Sequence, residues 1–237
     1  MTAEIFGKSA GLSGGRGGHM HLFDAAVNFA CSGIIAQGMG PAVGAAMAAK
    51  LRGSDAVAVS FIGDGAANQG AFHEALNLAA VWQAPVVFVI EDNAYGISVA
   101  KSACTAVERN STRAAGYGMP GIFVPGNDAD AIHAAAGEAI ARARAGGGPS
   151  LIEIETHRLE GHFMGDGEGY RPEGEVGRLK EADPIPAYRA RLVADGYDPA
   201  ELDSAEAAAR AEVDEAFAFA RRSPLPDPKE AFAHVFA

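Results

Sequence analysis

The sequence predicts an α/β fold: a mostly parallel sheet with helices on both faces, followed by C-terminal helices. Three observations predict it. Short runs rich in β-branched and aromatic residues recur along the chain: AVAVSFI at 56–62, VVFVIE at 86–91 and LIEIET at 151–156. The first two are almost continuously apolar, which suits strands buried on both faces. Alanine-rich stretches of helical length alternate with these runs, and strand–helix–strand alternation implies right-handed crossovers and parallel pairing.

The elements follow in order. Residues 7–21, GKSAGLSGGRGGHMH, hold six glycines and read as a loop. FACSGIIA at 29–36 reads as a short buried strand, and a glycine-punctuated turn leads from it into an alanine helix over 41–52. The strand 56–62 ends in Gly63-Asp64-Gly65, and a helix is predicted from Gly70 to Gln83. The strand 86–91 ends at Asp92-Asn93. A loop then runs to about residue 121, where a short strand at 122–124 precedes a helix over 128–145. LIEIET ends at His157-Arg158. Residues 160–183 are rich in Gly, Glu, Asp and Pro, the composition of a mobile lid over an active site. Helices are predicted over 184–195 and 201–222, and the tail turns from proline-rich to amphipathic. The whole, 1–237, is expected as one domain, with 184–237 as its C-terminal helical part.

Composition narrows the function. The net charge is -11 over 237 residues, which argues against nucleic acid and anionic membranes as partners. Any phosphate must be held by local backbone and a cation. No apolar run approaches the ~20 residues of a membrane span, and the N-terminus lacks a signal pattern. Two cysteines, Cys31 and Cys104, make no disulfide framework, so a cytoplasmic protein is expected. The 51 alanines among the residues imply thin helices packed closely on a few strands.

In open parallel sheets, ligands bind outside the carboxyl ends of the strands. The suggestive polar residues fall there. Asp64 and Asn93 lie 29 residues apart, one strand–helix–strand crossover. On neighbouring strands their ends would be ~5 Å apart. A carboxylate and an amide oxygen suit Mg²⁺, which draws its remaining ligands from phosphate and water. Gly63 and Gly65 allow close backbone approach, and the helix starting near Gly70 offers its positive end to an anion.

These residues carry a family resemblance. GDGAANQG, followed at the right distance by Asn93, resembles the thiamine-diphosphate motif. The ordered set SGGRGGHMHLFD, GIIAQGMGPAVGAA, GDGAANQGAFHEALNLAA, EDNAYGIS, THRLEGHFMGDGEGYR and PLPDPKEAF is similar to the alpha subunit of 2-oxo acid dehydrogenase complexes. The resemblance implies that Asp64 and Asn93 ligate Mg²⁺ by side chain and Tyr95 by its carbonyl. It implies that Gly65 and Ala66 meet the diphosphate through backbone amides and that Arg158 pairs with it. Gly33 and Ile35 would hold the aminopyrimidine and the bend of the cofactor, and His162 would sit over the thiazolium as the catalytic residue.

The same resemblance implies partners: a beta subunit, in a complex of two alpha and two beta chains, and the lipoyl domain of an acyltransferase component. The substrate would be a small 2-oxo acid, or acetoin, with a lean toward acetoin or the bacterial pyruvate type. Departures are visible. Asp92 stands where the family has an asparagine, His19 where a serine is common, and Phe163 where mitochondrial enzymes carry a phosphorylatable serine. An N-terminal segment that lends a Tyr-Arg pair to the diphosphate has no match here. Rival readings are a catalytically degenerate scaffold subunit, a transketolase-like fragment, and a nicotinamide-dependent dehydrogenase. The last rests on Gly38-Met39-Gly40-Pro41-Ala42-Val43-Gly44, which approaches the dinucleotide fingerprint.

Overall fold

A computed structural model of the chain describes residues 1–233; residues 234–237, the apolar end of the amphipathic tail, lie outside the described residues. The contacts group into two units, one of residues 1–34 with 192–237, the other of residues 35–191.

In the first unit, a short helix α1 (Thr2–Ile5) packs on the long C-terminal helix, and two-residue strands β1 (Phe23–Asp24) and β2 (Phe29–Ala30) pair antiparallel. The strand expected over 29–36 is therefore largely absent. Beyond Ala30 the chain bends and turns, and Ile34 and Ile35 are 63% and 56% exposed. An apolar run becomes a strand only when a neighbour supplies the hydrogen-bond ladder, and Gly33 interrupts this one. Glu4 organises the glycine-rich loop. Its carboxylate, fully buried, accepts the N–H groups of Ser13, Gly15 and Gly17 at 2.8, 2.9 and 2.5 Å. Burial raises its pKa, but these amides outweigh burial and leave the group below its ordinary value. Gly11 and Gly15 are required there: a side chain on Gly11 would strike Glu4, and one on Gly15 would strike Gly7.

The second unit runs α2 (Met39–Leu51), β3 (Ala58–Gly63), α3 (Gly70–Trp82), β4 (Val86–Asp92), β5 (Tyr95–Gly96), β6 (Val99–Ala100), α4 (Lys101–Cys104), β7 (Gly121–Val124), α5 (Ala129–Arg144), β8 (Ser150–Glu155) and α6 (Glu175–Glu181). Helix α7 (Pro184–Ala194) crosses the boundary between the units, and α8 (Pro199–Arg222) belongs to the first. Four strands form a parallel sheet in the order β3-β4-β8-β7. Helices cover both faces, as expected. On one, Met39, Val43, Phe72 and Leu76 pack against Phe88, Ile90 and Leu151. On the other, Ala139 and Ile140 of α5 pack against Val87, Val89 and Ile152. Residues 86–90 of β4 are all buried, which is why that run reads as continuously apolar. Truncating Phe88 to alanine would remove about 3–5 kcal/mol of stability.

The glycines of the dinucleotide-like segment lie at the start of α2 and inside it, and no strand leads directly into them, the two-residue β2 being followed by bends and turns. A fingerprint loop needs a strand before it, so the nicotinamide reading loses its support. Among the described residues, no helix is long and apolar enough to cross a membrane.

Candidate active site

Parallel pairing of β3 with β4 in the register Gly63↔Glu91 brings the two predicted strand ends side by side. Asp64 follows directly and opens a 3₁₀ turn over Asp64–Asn68. Its carboxylate is 1% exposed, and neither oxygen has a hydrogen-bond partner. Burial pushes its pKa up, and the nearby negative charge of Asp92 pushes it further. Ala66 is buried in the same turn. Arg113 ties the far end of the turn, donating from Nη1 to the Ala67 carbonyl at 2.5 Å and from Nη2 to Asn68 Oδ1 at 2.8 Å.

Opposite this turn, the β5–β6 hairpin carries Asn93 and Tyr95. Ala94 and Ile97 adopt left-handed backbone at φ 67° and 57°. Such conformations in non-glycine residues hold about 1–3 kcal/mol of strain and cluster at functional turns. The hairpin meets the 64–68 turn closely, since a side chain on Gly65 would come within 3.0 Å of Gly96 Cα. Asn93 Oδ1 accepts the Tyr95 N–H at 3.1 Å, which leaves its second lone pair free. The Tyr95 hydroxyl donates to the Glu175 carboxylate at 2.9 and 3.1 Å.

Beneath the hairpin lies a charged cluster that sequence reasoning missed. Lys101 bonds Asp92, and reaches Glu153 Oε1 at 3.1 Å. Glu153, fully buried in β8, also receives the N–H groups of Asn110 and Ser111 at 2.9 and 2.7 Å. Burial raises the Glu153 pKa, but those two amides outweigh it and leave the group below its ordinary value. Burial likewise lowers Lys101, and its two carboxylate partners more than restore it. The available signal was an acidic residue inside an otherwise apolar strand, at position 153.

Arg158 follows β8. It donates to the Ile97 carbonyl at 2.9 Å and to the Tyr170 hydroxyl at 2.5 Å, and its buried Nε has no partner. Arg158 and Arg171 stand 5.6 and 5.5 Å from the centre of the Tyr95 ring. In segment 160–183, Asp166 accepts from Glu168 N, His162 N and the Tyr170 hydroxyl at 3.0, 2.9 and 2.7 Å. The backbone bonds from Glu168 and His162 and the Tyr170 bond hold its pKa at about 2. His162 itself is exposed. Gly33 belongs to the first unit, where a side chain would strike Met20 Sδ at 2.8 Å, and Ile35 stands in the turn that follows it. A cavity of about 550 Å³ lies beside the hairpin, lined in part by Tyr95, Lys101, Thr105, Glu108 and Glu175.

The donor set suits a hard cation. Asp64 presents two buried oxygens with no partner, a costly arrangement unless a positive ligand compensates it. Among the described residues, no three His, Cys, Asp or Glu side chains are grouped to hold a metal. A cation at Asp64 would draw its other ligands from amide, carbonyl, phosphate and water oxygens.

A parallel sheet with a buried acidic turn at the carboxyl ends of its strands is the arrangement of α/β proteins that bind ligands at that edge. Within that class the family is specific: residues 1–229 match the dehydrogenase E1 component, and the chain belongs to that family. It is 44% identical over 239 residues to the alpha subunit of an acetoin:2,6-dichlorophenolindophenol oxidoreductase of Cupriavidus necator, covering 100% of this chain and 72% of the relative. The corresponding Bacillus subtilis subunit is 44% identical over 238 residues, with 71% of it covered. The pyruvate dehydrogenase E1 component subunit alpha of Rhizobium meliloti is 38% identical over 238 residues, covering 99% of this chain and 68% of the relative. Membership implies thiamine diphosphate as the cofactor and a beta subunit as the partner.

Proposed function

We propose that this chain is the alpha subunit of a thiamine-diphosphate-dependent dehydrogenase that works in the cytoplasm with a beta subunit. It cleaves acetoin, or decarboxylates pyruvate or a related 2-oxo acid, and the acyl group passes to a lipoyl domain of the acyltransferase component. The observation that carries this reading is the buried, partnerless Asp64 carboxylate, set against the hairpin of Asn93 and Tyr95. Asp64, Asn93 Oδ1 and the Tyr95 carbonyl would hold Mg²⁺, and the amides of Gly65 and Ala66 would meet the diphosphate oxygens. Gly63 leaves room for that approach. When bound, thiamine diphosphate supplies the electron sink for cleavage of the carbon–carbon bond.

The chain's own residues do the rest. Arg158 offsets diphosphate charge through its free Nε. Ile35 would receive the aminopyrimidine side of the cofactor. His162, on the 160–183 segment, offers an imidazole to exchange a proton with the reacting substrate. The segment itself excludes water when closed. Acetoin is favoured as substrate because identity is higher to the acetoin-linked relatives, at 44%, than to the pyruvate-linked one, at 38%. Turnover of acetoin, pyruvate and branched 2-oxo acids by the complex reconstituted with its beta partner tests this. Cofactor-dependent turnover of acetoin above the others is expected. Activity on none of them with cofactor and Mg²⁺ present would refute the catalytic reading.

A further inference from the structure

Two aspartates end neighbouring strands here, and the structure treats them differently. Continuing the β3–β4 register places Asp64 beside Asp92. Both are buried. Asp64 has two free oxygens. Asp92 has none: Oδ1 accepts the Ala94 N–H at 3.0 Å and Oδ2 is taken by Lys101. The Lys101 side chain is 13% exposed, and its ammonium also bonds Glu153, which lies on the next strand of the sheet. Lys101 thus serves Asp92 and Glu153 and leaves Asp64 without a cation.

Lys101 also closes the hairpin. Its backbone N–H donates to the Ala94 carbonyl at 2.8 Å, while its side chain grips Asp92. Residues 93–100 therefore leave and return between two side chains bonded to each other. Those residues carry Asn93 and Tyr95, and Gly96 among them packs on Gly65.

We propose that Lys101 is the positioning residue of this site, a tethered cation that occupies Asp92 so that the metal goes to Asp64, and that fixes the 93–100 hairpin opposite it. This rests on the assignment of Asp64, Asn93 and the Tyr95 carbonyl to a divalent cation. Losing Lys101 frees a second carboxylate beside the first and unlatches the loop that carries the other ligands. Groups that orient metal ligands typically change affinity by roughly 10- to 100-fold when removed.

The test is Mn²⁺ binding to the alpha–beta complex, followed by electron paramagnetic resonance without substrate. Lys101→Met should weaken Mn²⁺ binding roughly 10- to 100-fold and speed amide exchange across 93–100. Lys101→Arg keeps a cation on Asp92 and should bind Mn²⁺ more tightly than Lys101→Met, with amide exchange across 93–100 close to the parent. That rescue separates positioning from mere packing. Unchanged or tighter binding by Lys101→Met overturns the proposal, as does Lys101→Arg binding as weakly as Lys101→Met. If Lys101→Met does not fold, Lys101→Gln takes its place with the same two outcomes. Asp64→Asn is the control for the underlying assignment. Abolished binding upholds that assignment however Lys101 behaves, and retained binding removes it and this inference with it.

Discussion

Replacing Asp64 by asparagine should stabilise the protein without metal and weaken it with metal. The buried carboxylate has no hydrogen-bond partner and a neighbouring like charge. An unsatisfied buried polar group costs about 1–3 kcal/mol, more when charged. The folded pKa lies above the unfolded one. The penalty is therefore absent well below the unfolded value of about 3.9, grows as pH rises from that value toward the folded one, and is complete above the folded one. At neutral pH in chelator, Asp64→Asn should gain at least about 1 kcal/mol, a rise of about 2–4 °C in melting temperature for a chain of this size. The gain should vanish in acid, where the native carboxyl is already protonated. With Mg²⁺ and thiamine diphosphate at 100 times their dissociation constant, the parent gains about 2.7 kcal/mol and the variant nothing, so the order of the melts inverts. Thermal melts across pH, with and without the ligands, check this. A variant that melts lower than the parent in chelator at neutral pH would refute the reasoning.

Other outcomes follow from the same geometry. Glu4→Gln replaces a buried acceptor of three loop amides with a group that must turn an NH₂ toward donors. A loss of about 1–3 kcal/mol is expected, with faster amide exchange over residues 11–18 read by mass spectrometry. The Asp166 carboxylate, held at about 2, contributes stability above its unfolded pKa that is lost as pH falls through about 2. Asp166→Asn should therefore speed proteolysis within 160–183 at neutral pH, an effect absent in the parent until strong acid. In the parent, thiamine diphosphate with Mg²⁺ should slow cleavage of that segment; an unchanged rate counts against its role as a lid.

Local pattern carried some of these features and not others. The sheet was legible because β4 is buried on both faces and so admits only apolar residues. The pairing of Asp64 with the 93–100 hairpin was legible because one crossover has a narrow length. Lys101, Asp92 and Glu153 were not, because their meeting depends on lateral strand order and on a loop that folds back under its own start. Glu4 lies four residues into the chain and gains its meaning only from loop amides up to 13 residues later. The stretch 29–36 has strand composition, yet composition does not supply the neighbouring ladder that a strand requires. The Asp166–Tyr170–Arg158 network was hidden in a segment whose polar, glycine-rich composition reads simply as loop.

The most direct test is a thermal shift of the alpha–beta complex on adding thiamine diphosphate and Mg²⁺ together. A saturable rise in melting temperature is expected, and Asp64→Ala should abolish it. No rise in the reconstituted complex, or an equal rise in Asp64→Ala, would contradict the assignment of this strand-end turn to the cofactor and its metal.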